Sequence, residues 1–184
     1  AYFTPRKWVE LSQKYITDYL GENWQEDYYI WDCAAGTGNL LAGLTNKYNI
    51  YASTLDQADI NVMHERIEHG ANLLENHVFQ FDFLNDDFSK LPQNLQDIIN
   101  DEEKRKKLII YINPPYAETG STKHKESKSG VSNETMIHKK LFDKLNTFSK
   151  RELYVQFLMR IYIEIPNCKI ANFSKLKRGN LVTT

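Results

Sequence analysis

Asn113-Pro114-Pro115-Tyr116 closes an apolar run, "LIIYI" at 108–112. Two prolines fix φ and remove two backbone donors, and each restricts the residue before it. The result is a stiff turn that presents acceptors: the side-chain carbonyl of Asn113 and the backbone carbonyl of Pro114. Tyr116 adds an aromatic face. A rigid pair of acceptors beside a stacking ring suits a planar group bearing NH2. The plain alternative is a strand-ending turn.

Three other groups with chemical potential also follow strand-like runs. "DCAAGTGNLL" (32–41) places Gly36 and Gly38 where the backbone must turn sharply and a ligand can come close. Leu41 stands where a dinucleotide fingerprint has its third glycine or alanine, and no Gly-Lys-Ser/Thr follows. A ligand without a bound phosphate fits this loop better than a dinucleotide. Asp56 follows "IYASTL" (50–55) and can accept from two ribose hydroxyls; a surface Asp favouring the positive end of a helix fits equally. Asp82 and Phe83 in "FDFLND" (81–86) can meet an adenine amino group and face, or can be a turn Asp and a core Phe.

The elements that must position these residues alternate. Thr4-Pro5 reads as N-cap and first residue of a helix over 4–20, with Trp8, Leu11, Tyr15 and Tyr19 on one face and Gly21 as C-cap. Strands are expected at 28–32, 50–55, 77–81, 108–112 and 168–173. Helices are expected at 39–48, 58–69, 91–107 and 133–145, and from a capping box at Ser149–Glu152 to just before Pro166. Alternation of this kind predicts an α/β, doubly wound, mainly parallel sheet. In such a sheet ligands lie outside the carboxyl ends of the strands, where all four groups fall.

The 184 residues suffice for one domain, and 41% are hydrophobic. No apolar run reaches the roughly 18 residues of a membrane helix, so no membrane partner is expected. Net charge is −1, which gives no global footprint for nucleic acid. The two cysteines, Cys33 and Cys168, form no metal-type pair, and the five histidines show no ligand spacing, so no metal is expected. A reducing, cytoplasmic setting follows. Residue 1 is not Met and the chain stops at "GNLVTT", which reads as a fragment of a longer protein.

From Phe3 to about Phe173 the chain resembles the S-adenosylmethionine-dependent amino-methyltransferases, specifically the N6-adenine DNA methyltransferases of bacterial and phage restriction–modification systems. "FTP" (3–5) is similar to the family's N-terminal cofactor motif, "DCAAGTG" (32–38) to its Asp-Pro-x-x-Gly-x-Gly loop with Cys33 in place of proline, and "NPPY" (113–116) to its catalytic motif. The order is that of the gamma arrangement. The resemblance implies a Rossmann-like methyltransferase fold and one catalytic domain over 1–184. Its parts would be a helix at 4–20, a cofactor half at 28–107, a catalytic turn and loop at 108–133, and final helices and a strand at 134–184. It implies S-adenosyl-L-methionine held by Tyr2, Phe3, Thr4, Pro5, Asp32, Ala34, Gly36, Gly38, Asp56, Asp82, Phe83 and Asn113. It implies catalysis by Asn113, Pro114, Pro115 and Tyr116 on an adenine rotated out of double-stranded DNA. The polar stretch 117–133 then reads as a loop that orders over DNA, with Lys123, Lys125 and Lys128 near phosphates, or as an unstructured insertion. The family usually has seven strands and a separate recognition region; five strands and no such region are counted here. Rival readings are a protein-glutamine or other amino-methyltransferase, and a non-catalytic cofactor-binding module that needs a partner.

Overall fold

The computed structural model describes residues 5–112, 153–173 and 179–183. Tyr2, Phe3, Thr4, Asn113, Pro114, Pro115, Tyr116, Lys123, Lys125, Lys128, the helix expected at 133–145 and the capping box at 149–152 lie outside the described residues.

Six strands form one sheet in the order β3-β2-β1-β4-β5-β6. They are β1 (Tyr29–Asp32), β2 (Ile50–Thr54), β3 (Val78–Gln80), β4 (Leu108–Ile112), β5 (Lys169–Phe173) and β6 (Gly179–Thr183). The first five run parallel, as the alternation predicts, and β6 pairs antiparallel with β5, Ala171 opposite Leu181. Strand β6 is an addition to the sequence reading. The order of strand addition reverses between β1 and β4, and that switch point is where open α/β sheets form a ligand crevice.

Strands β2 and β4 are buried on both faces, which explains the unbroken apolar run of β4. Side chains along the strands alternate between two cores. Ile30, Ile50, Ala52, Ile109, Tyr111 and Ala171 share one core with Val9 and Ile16 of α1 (Arg6–Leu20), Trp24 of α2 (Trp24–Asp27), and Ile60 and Met63 of α3 (Gln57–Glu68). Trp31, Tyr51, Leu108, Ile110, Ile112 and Ile170 share the other with Leu95, Ile98 and Ile99 of α4 (Gln93–Asn100). Phe157 and Ile161 of the helix Leu153–Glu164 complete it.

Three expectations change. The segment 39–48 is not an α-helix but a 3-10 turn at Asn39–Leu41 and the start of another at Lys47–Asn49, because Gly43 adopts φ +84° and ends the helical path between them. The segment 91–107 divides into α4 and α5 (Glu102–Arg105) at Asp101, whose carboxylate accepts from the backbone N–H groups of Glu103 and Lys104. We label the helix Leu153–Glu164 α6. Helix α1 starts at Arg6, with extended Pro5 just before it. Its stripe of Trp8, Leu11, Tyr15 and Tyr19 faces outward, 39% to 67% exposed. The inward face is Val9, Ser12 and Ile16. A serine can sit there because its hydroxyl donates to the Val9 carbonyl at 2.7 Å and is bonded to the Tyr111 hydroxyl of β4.

That buried pair of hydroxyls ties α1 to the strand that leads into Asn113. Tyr111→Phe removes the bond between α1 and β4 yet leaves the Ser12–Val9 bond. It is expected to cost about 1 kcal/mol, read as a lower urea midpoint with an unchanged slope; an unchanged midpoint would contradict the assigned tie.

Candidate functional site

Strand β1 ends at Asp32, which is 1% exposed. Its Oδ1 accepts from the Ala34 N–H at 3.2 Å. Burial raises its carboxyl to about 7, and the Ala34 bond offsets the shift only in part. A buried carboxylate is costly unless a cation or further donors meet it. Burial also pushes the neighbouring Cys33 thiol well up, and the Asp32 carboxylate adds to it, so Cys33 is an unreactive packing residue.

The loop after Asp32 needs its glycines. Gly36 and Gly38 adopt φ +55° and +85°, left-handed conformations that L side chains rarely take. A Cβ built at Gly36 meets nothing within 4 Å, so a ligand can come close to the backbone there. A Cβ at Gly38 would press on Met63 Sδ at 3.2 Å, so this glycine also seats the loop on α3. The Ala35 N–H donates to the Ser53 carbonyl at 3.0 Å, and the Gly38 N–H to the Ala35 carbonyl at 2.8 Å.

Asp56 stands at the end of β2 and is exposed. It caps α3: its Oδ1 accepts from the Ala58 N–H at 2.9 Å. Asp82 lies just beyond β3 and is half-buried. Its Oδ1 accepts from the N–H groups of Leu84 and Asn85, and its Oδ2 from Asn85 Nδ2 at 2.9 Å. Phe83 is buried, with its ring stacked on Phe157 at 5.0 Å and edge-on to Trp31 at 5.5 Å. These contacts make Asp82 the organiser of a tight turn and Phe83 its anchor in the core. The structure therefore brings Asp32, Ala34, Gly36, Gly38, Asp56, Asp82 and Phe83 to the carboxyl ends of adjacent strands β1, β2 and β3. Pro5 lies apart from them in the chain, exposed at the start of α1.

Two arginines were not singled out in the sequence. Arg160 of α6 is fully buried. Its Nη1 donates to the Phe83 carbonyl, its Nε to Glu164, and its guanidinium lies 4.2 Å over the Phe88 ring. It holds the 83–88 segment from below. The signal was a lone cation in the apolar "LYVQFLMRIYIE", with a glutamate four residues on. Arg66 of α3 donates from Nη1 to the Thr37 carbonyl at 2.8 Å and to Asn39 Oδ1 at 2.9 Å. Nothing local in the sequence points to that contact.

Among the described residues the Asp32 carboxyl accepts from one donor, the Ala34 N–H, and a Cβ placed at Gly36 would meet open space. No helix among the described residues is long and apolar enough to cross a membrane.

No protein-family description matches the chain. Its fold does match parts of much larger solved proteins. DrdV, in a cryo-EM structure of its DNA complex, shares the fold at TM-score 0.66 and 17% identity, over 94% of this chain and 20% of that one. A nuclease-deletion mutant of the type ISP restriction–modification enzyme LlaGI, in complex with a DNA substrate mimic, does so at 0.58 and 14%, over 96% and 20%. The ATP-dependent type ISP enzyme LlaBIII, bound to DNA, does so at 0.51 and 14%, over 94% and 14%. The chain spans a fifth or less of the length of each of these chains. The likeness is one of fold: an α/β, Rossmann-like, doubly wound sheet.

The raised carboxyl of Asp32 has a consequence for stability. The folded state holds this proton more tightly than the unfolded chain does, so this contribution falls as pH rises from about 4 to about 7. Fully developed, the loss is about 4 kcal/mol. Asp32→Asn is expected to unfold with a flatter pH dependence and to be more stable than the parent at about pH 8, measured by urea midpoints. Identical pH slopes for the two proteins would contradict the burial assigned to Asp32.

Proposed function

We propose that this chain is the methyltransferase part of a DNA restriction–modification enzyme, transferring a methyl group from S-adenosyl-L-methionine to the N6 amino group of adenine in double-stranded DNA. The observation that carries the reading is the buried Asp32 carboxyl beside two left-handed glycines at the end of the central strand. Two findings support it: the fold shared with restriction–modification enzymes bound to DNA, and the Asn-Pro-Pro-Tyr sequence directly after β4.

When bound, S-adenosylmethionine supplies a methyl group already activated by its sulfonium. Asp32 and the backbone from Ala34 to Gly38 would hold its amino-acid end, with Tyr2, Phe3, Thr4 and Pro5 closing over it and Asn113 at its reactive side. Asp56 would accept from the ribose hydroxyls. Asp82 and Phe83 would bound the adenine end; with the Phe83 ring in the core, their part is to fix the shape of the turn there.

The target nitrogen is a weak nucleophile because its lone pair is delocalised into the base. Catalysis then rests on positioning and polarisation. The side-chain carbonyl of Asn113 and the backbone carbonyl of Pro114 would accept the two N6 hydrogens and turn the lone pair toward the methyl group. Pro115 would stiffen the turn. Tyr116 would stack on the extruded base, and Lys123, Lys125 and Lys128 would meet phosphates. No strong general base is required, because the proton leaves to water after transfer.

The test is methyl transfer from tritiated S-adenosylmethionine to unmethylated genomic DNA, followed by digestion to nucleosides. Label is expected in N6-methyladenine, and Asn113→Ala is expected to reduce it by about a hundredfold or more. Label in glutamine residues of added protein, or in cytosine, would overturn the reading.

A further inference from the structure

One exposed side chain links two stations of the candidate site. Helix α3 carries Asp56 as its N-cap, Met63 in its middle and Arg66 in its last turn. Met63 and Arg66 are three residues apart and so share a helical face. Met63 lies beneath Gly38, and Arg66 reaches back 29 residues to the Thr37 carbonyl and 27 to Asn39 Oδ1. Asn39 Nδ2 in turn donates to the Thr37 hydroxyl at 3.4 Å.

The peptide between Thr37 and Gly38 has two available orientations, because glycine tolerates both signs of φ at little cost. Reversing it would turn the Thr37 carbonyl away from Arg66 and swing the Gly38 N–H off the Ala35 carbonyl. The guanidinium bond to Thr37 favours one orientation, and being charge-assisted it is stronger than a neutral bond.

We propose that Arg66 is a positioning residue for cofactor binding: it locks the Thr37–Gly38 peptide so that the Gly36–Gly38 backbone is set before the ligand arrives. The same helix places Asp56, so the glycine loop and the ribose contact move as one body. This inference rests on the cofactor reading above. Arg66 touches the loop and not the reacting atoms, and its exposure means that its removal leaves both cores intact.

The test uses Arg66→Ala and Arg66→Lys with two measurements. The first is amide hydrogen exchange without ligand. Exchange at Gly38 is expected to quicken by roughly tenfold or more in Arg66→Ala, while the core strand amides of β4 stay as in the parent. The second is calorimetric affinity for S-adenosylmethionine. It is expected to weaken by roughly tenfold in Arg66→Ala, with part recovered in Arg66→Lys, which restores one charged donor without the planar fork. Unchanged exchange at Gly38, or faster exchange with unaltered affinity, would overturn the role of Arg66. Failure of the parent protein to bind S-adenosylmethionine would overturn the cofactor reading and this inference with it.

Discussion

The carboxyl of Asp32 is placed by the sheet and not by its own preference. Strand β1 is central, flanked by β2 and β4, so the residue at its end is sealed by chains on both sides. A carboxylate there loses water and gains one backbone donor in return, and its proton affinity rises accordingly. A fold can keep such a group when something else makes use of it. On the proposed cofactor reading, the surroundings would serve a ligand cation: an acidic end of strand, a main-chain loop opened by Gly36, and an ordering helix alongside. The cost to the empty fold and the usefulness to a ligand are the same fact, which is how functional sites commonly trade against stability.

The two walls of the site are held by different means. The loop after β3 is supported from the core, where Phe83 is wedged among Trp31, Phe88 and Phe157 and its carbonyl is taken by the buried Arg160. That wall has little freedom. The glycine loop after β1 is supported by hydrogen bonds: the buried Ser53 takes the Ala35 N–H, and the exposed Arg66 donates to the Thr37 carbonyl. Trp31 links the two, since its ring faces Phe83 and its Nε1 donates to Ser53 Oγ at 2.9 Å. A rigid wall suits a flat, apolar ligand surface, and a hydrogen-bonded loop suits an end that carries charge.

How much of this was legible in the sequence follows from how local each signal is. The parallel order of β1 to β5 could be read, because strand-like runs alternate with helical patterns along the chain. The glycines at 36 and 38 could be read as backbone requirements, and both take positive φ. The helix expected at 39–48 could not survive Gly43, whose φ of +84° is fixed by the tertiary path and not by the apolar pattern around it. The spacing that groups Trp8, Leu11, Tyr15 and Tyr19 on one face of α1 does not say which way that face points, for a related reason. Aromatic residues at helical spacing look like a core stripe, but Ser12 sits at the buried centre through its bond to Tyr111, 99 residues away. Arg160 and Arg66 act across 77 and 29 residues, and spacing rules carry no such information. Strand β6 begins at a glycine and is defined by its pairing with β5.

The central claim is that the buried carboxyl of Asp32 receives the charged end of the cofactor. If so, an Asp32 that is mostly protonated in the empty protein at about pH 6 must give up its proton when the ligand's ammonium arrives. Calorimetric titration with S-adenosylmethionine, in buffers of different ionisation enthalpy, counts the protons released. The account predicts release of about one proton per ligand bound at that pH, and almost none from Asp32→Asn. Tight binding with no proton release from the parent protein would contradict it.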